Sequence, residues 1–66
     1  MEETPSKQTK EVDRWNRDNP VGTKVTARMF GTLKFDGITT SEAYLQNDMP
    51  CVDVDGRVIL LEDVTA

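Results

Sequence analysis

The sequence predicts a mainly β protein, a small barrel of four to five short antiparallel strands preceded by a short N-terminal helix or arm. Three observations lead there. Val25, Ala27 and Met29 alternate with Lys24, Thr26 and Arg28, the period-two signature of a strand with one buried face. Val52 and Val54 alternate with Asp53 and Asp55, Asp55-Gly56 supplies a two-residue turn, and Val58-Ile59-Leu60-Leu61 returns as an apolar strand. The 66 residues, 36% of them apolar, are too few for a sandwich, so strands at this spacing curl around one small core and limit their exposed edges.

The elements follow in chain order. Residues 1–18 form a polar N-terminal helix or arm in which Val12 and Trp15 are the large apolar residues after Met1. Thr4 suits a cap, Pro5 suits the first helical position, and Val12 and Trp15 lie three apart on one face, which predicts a helix over residues 6–17. Asn19-Pro20 ends it, because proline disfavours the helical conformation of the residue before it, and Val21-Gly22-Thr23 leads out as a turn. The β domain occupies residues 19–66. After the strand at residues 24–29, residues 30–38 hold Gly31 and Gly37 with Leu33 and Phe35 between them and fold back on the sheet. Thr39 with Glu42 fits a capping box, yet the segment breaks at Gln46-Asn47-Asp48 after about two turns, too short for a firm helix. A strand over residues 39–45 is the preferred reading.

Residues 50–64 support a second reading besides the hairpin. With Cys51 as first position, Asp53, Asp55, Gly56 and Glu62 fall where an EF-hand calcium loop has its third, fifth, sixth and twelfth residues. Calcium prefers oxygen to the sulfur of Cys51, Pro50 interrupts the entering helix, and Val58 to Leu61 are strand formers. The hairpin is therefore expected, with no metal. The resulting architecture is of the Src-homology-3-like (SH3-like) kind, with a core of Val21, Val25, Ala27, Leu33, Ala43, Leu45, Val52, Val54, Val58, Leu60 and Val64 and with Trp15 closing one end.

Composition narrows function by exclusion. There is one cysteine and no histidine, so neither an internal disulfide nor a zinc cluster can form, and general acid–base work would fall to carboxylates whose spacing singles out no pair. Cys51 lacks an activating histidine and reads as a buried, reduced thiol. The four glycines are isolated, so there is no phosphate loop. An enzyme and a cofactor are not expected. No apolar run suits a signal peptide or a membrane span, which points to an intracellular protein. Residues 1–34 hold seven Lys/Arg against five Asp/Glu, a net +2; residues 35–66 hold one against seven, a net −6; together they give the −4 of the chain.

Trp15-Asn16, Asn19-Pro20-Val21-Gly22-Thr23-Lys24-Val25, Thr39 to Tyr44, Val52 to Gly56 and Val58 to Val64 occur in an order that resembles a family of small bacteriophage- and prophage-encoded proteins. Where that family has Thr-Arg-Ser-x-Ala-Trp, this chain has Thr40 and Tyr44 at the arginine and tryptophan positions. The resemblance implies a phage origin, the cytoplasm of a bacterial host and no assigned reaction. The expected function is a non-enzymatic accessory protein that binds a host protein, inhibiting or redirecting a host defence, with Asp53, Asp55, Glu62, Asp63 and Tyr44 as candidate partner-binding residues. The alternative is nucleic-acid binding through Lys10, Arg14, Arg17, Lys24 and Arg28, with Lys7 and Lys34 contributing and Trp15, Phe30 or Phe35 stacking on bases. A self-associating virion or assembly component, and a homo-oligomer, complete the expectations.

Overall fold

The computed structural model describes residues 7–30 and 32–66. The expectations for Thr4, Pro5 and Ser6 at the helix start, and for Gly31 as a turn glycine, lie outside these residues. Helix α1 spans Lys7–Asp18 and turns Val12, Trp15 and Asn16 to the strands, as their spacing requires. It closes with the Asn19 amide donating to the Trp15 carbonyl at 2.7 Å, next to Pro20. The Asn16 side chain then fixes the helix: its Nδ2 donates to the Ala43 carbonyl at 3.1 Å and its Oδ1 accepts the Ala43 amide at 2.7 Å.

Six strands follow: β1 (Lys24–Met29), β2 (Leu33–Ile38), β3 (Tyr44–Gln46), β4 (Met49–Val54), β5 (Arg57–Leu60) and, after a 3₁₀ turn at Leu61–Asp63, β6 (Val64–Thr65). They form two antiparallel sheets, in the orders β2-β1-β6 and β3-β4-β5. The sheets meet where Thr39 bridges Val54, where the Asp55 amide donates to the Ile38 carbonyl at 3.0 Å and the Thr40 amide to the Asp53 carbonyl at 2.8 Å. The barrel is not closed. Strand β6 is two residues long and pairs only with Thr26 and Ala27 of β1, so Arg28 and Met29 have no neighbour on that edge. A cleft of about 170 Å³, lined by Met29, Phe30, Val58 and Leu60 among others, separates this end of β1 from β5.

Two hairpins have two-residue turns with left-handed backbone at both positions, Asn47 (φ 53°) with Asp48 (63°) and Asp55 (52°) with Gly56 (80°). Such turns match the twist of the flanking strands and fix the register. Val52 therefore lies opposite Ile59, and Asp53 opposite Val58. Residues opposite one another share a face, so Ile59 enters the core while Val58 and Leu60 take the other face. The core is Val25, Ala27, Ala43, Val52, Val54, Ile59 and Val64, with Val12, Trp15, Met29, Phe35 and Leu61 packed against it. Four expected core residues, Val21, Leu33, Leu45 and Val58, are exposed, and Leu60 is only half-buried.

Residues 39–45 are neither one strand nor a helix. The Thr39 hydroxyl accepts the Gly22 and Thr23 amides at 3.0 Å each, which ties it to the turn after α1 instead of to a helix of its own. Ala43 is held by Asn16, and only Tyr44–Gln46 pairs as a strand. Among the described residues no helix is long and apolar enough to cross a membrane.

Candidate functional site

The face of β3-β4-β5 turned away from the core carries the most varied surface chemistry. Met49, Cys51 and Asp53 alternate with the core residues Val52 and Val54 along β4, and Tyr44 and Val58 lie opposite Cys51 and Asp53. Cys51 is buried but lies outside the core cluster, consistent with its place on this second face. Its thiol donates to the Met49 carbonyl at 3.3 Å. The Tyr44 hydroxyl donates to Asp53 Oδ1 at 2.8 Å, and the Asp53 amide donates to the Ser41 hydroxyl at 3.2 Å. Removing the phenolic proton would forfeit the hydrogen bond and set two anions together, so the Tyr44 pKa is pushed up to about 12. Burial, then the Asp53 charge, raises the Cys51 thiol as well. A thiol kept protonated and covered is a poor nucleophile.

The expected partner-binding residues do not form one patch. Tyr44 and Asp53 are joined on the outer face of β3-β4-β5. Asp55 lies in the hairpin turn, where its Oδ1 accepts the Ile38 amide at 3.2 Å. Asp63 turns to the other sheet and pairs with Arg28 at 3.4 Å, while Glu62 borders a separate concavity beside Lys7 and Met49. The same dispersal disposes of the calcium loop geometrically: Asp53 is engaged by tyrosine, Asp55 by backbone, and Glu62 is on the 3₁₀ turn. Among the described residues no group of three or more His, Cys, Asp or Glu side chains could hold a metal ion.

The expected nucleic-acid cations divide too. Lys10, Arg14 and Arg17 line the solvent side of α1 with Lys7, interleaved with Glu11 and Asp13. Glu11 makes no ion pair with Lys7; among the described residues the ion pair within the helix is Arg17 with Asp18 at 3.5 Å. Lys24 and Arg28 lie instead on the outer face of β2-β1-β6, where Lys34 joins them around a shallow concavity of about 630 Å³. Of the three aromatic residues named for stacking, Trp15 and Phe35 pack on the core and Phe30 is 87% exposed.

Sequence reasoning missed the feature that organises the first surface, the edge of β5. Among the described residues no strand pairs beyond it. Val54 and Arg57 flank the two-residue turn and exchange the bonds that close it, so the next residue, Val58, directs its N–H and C=O outward while its side chain is 54% exposed. The signal was present in the Asp55-Gly56 turn, which sets that alternation by counting. Comparison with protein-family models, curated proteins and solved structures finds no match for the chain.

Proposed function

We propose that the chain is a non-enzymatic, phage-encoded accessory protein that acts in the cytoplasm of its bacterial host by docking on a host protein. The observation that carries this reading is the unpaired edge of β5, with Val58 exposed beside Asp53 and Tyr44. An extended segment of a partner can add to such an edge through backbone hydrogen bonds, and an aromatic, an apolar and an acidic side chain alongside supply specificity. A cleft of about 170 Å³ runs beside this edge, bridged where the Arg57 Nη1 donates to Met29 Sδ at 3.2 Å. Read through the Thr39–Val54 bridge, the strand order β6-β1-β2-β4-β5 supports an SH3-like arrangement around a single core. The order of motifs from Trp15 to Val64 supports the phage origin.

Affinity capture of the tagged chain from nuclease-treated host lysate tests the proposal, with Val58→Pro as the comparison. Proline at 58 removes an outward N–H and leaves the β4 ladder intact. A stoichiometric host protein held by the parent chain and lost by a folded Val58→Pro chain is the expected result. Equal recovery by both chains, or recovery that vanishes with nuclease, overturns it.

A further inference from the structure

We propose that the outer face of β2-β1-β6 binds single-stranded nucleic acid, with phosphates on Lys24, Arg28 and Lys34 and a base on Phe30. Lys24 and Lys34 border a concavity apart from the β5 edge, whereas Arg28 and Phe30 also border the cleft beside Val58; the proposal does not depend on the host-protein reading. Three features converge. First, Arg28 and Lys34 lie directly opposite one another in the register, a like-charge cross-strand pair that opposes folding and that an anion between them would relieve. Second, both acids of the face are engaged. Asp36 accepts the Thr26 hydroxyl at 2.9 Å and Asp63 pairs with Arg28, whereas the Lys24 and Lys34 ammonium groups have no partner among the described residues. The three cations around this concavity outnumber its two acidic side chains on a chain whose net charge is −4. Lys24 and Arg28 share that face about 13 Å apart along β1, a span that covers more than one nucleotide step of a single strand.

The third feature selects single strands over duplex. Phe30, two residues beyond Arg28 at the end of the hairpin, holds a left-handed backbone (φ 55°) rare for an aromatic residue and leaves its ring in solvent. A strained position that displays an aromatic next to cations is what base stacking uses, and stacking needs unpaired bases. The cations of α1 lack this companion, since Trp15 is turned to the core, and they are diluted by acids.

The test is a fluorescence titration of the full chain with a labelled oligothymidylate of about 12 nucleotides and with a duplex of equal length, across a salt series. Single-strand binding should exceed duplex binding, with a log–log salt slope near −2 for three phosphate contacts. Lys24→Gln and Lys34→Gln should each lower the slope by about 0.7, and Phe30→Ala should weaken binding about tenfold with the slope unchanged. All three positions are exposed, so a thermal melt can show that each variant folds. No binding at low salt, equal affinity for duplex, or loss on Lys10→Gln in place of Lys24→Gln overturns the proposal.

Discussion

Tyr44 reports on the acidic surface through its own titration. It is the only tyrosine, and its pKa near 12 stems first from the hydrogen bond to Asp53. The group's folded value lies above its unfolded value of 10.0, so its contribution is fully present below pH 10 and is lost as pH rises from there through about 12. Spectrophotometric titration should give a midpoint near 12 in the parent chain and a clearly lower one in Asp53→Ala. Gly37 is a second informative residue. A Cβ there would meet Val54 Cγ1 at 2.8 Å and Asp55 Oδ2 at 2.7 Å, where the two sheets cross. Gly37→Ala should therefore destabilise by about 1–3 kcal/mol, visible as a lower urea midpoint with an unchanged m-value. Neither role was legible in the sequence, because each depends on a partner brought near by the register. Thr39 was misread for the same reason: a local capping box with Glu42 was visible, whereas its acceptor role for Gly22 and Thr23 spans 16 and 17 residues.

At the scale of elements, alternation located the strands well and the faces less well. β1 showed its buried side directly, since Val25 and Ala27 are core residues. In β5 the run Val58-Ile59-Leu60-Leu61 is apolar at every position, so period two had nothing to read. The turn decides it, placing Ile59 at 6% exposure and Val58 at 54%. Ile59→Ala should cost about 2–5 kcal/mol, the range for a core truncation, while Val58→Ala should change stability by less than about 0.5 kcal/mol. Equal losses in chemical denaturation would show the register displaced by one residue. The N-terminal helix was legible from Val12 and Trp15 and from Asn19-Pro20; its attachment through Asn16 to Ala43 was not, because a single polar side chain carries no periodicity.

For the whole molecule, the division of charge along the chain becomes a division among surfaces. Seven of the eight Lys/Arg lie on α1 or on the outer face of β2-β1-β6, whereas Tyr44 and Asp53 share the outer face of the other sheet with Val58. A closed barrel was expected because closure hides edges; among the described residues β5 instead has no strand paired beyond it. That edge is the centre of the proposed function. Hydrogen exchange of the Val58 and Leu60 amides, in the free chain and in the chain bound to its captured host protein, tests it most directly. Both amides point away from β4 and should exchange quickly in the free chain, then slow by at least about 100-fold in the complex while Ile59 changes little. Unchanged exchange at Val58 and Leu60, with new protection confined to α1 or to β1 and β2, would place the partner elsewhere and contradict the account.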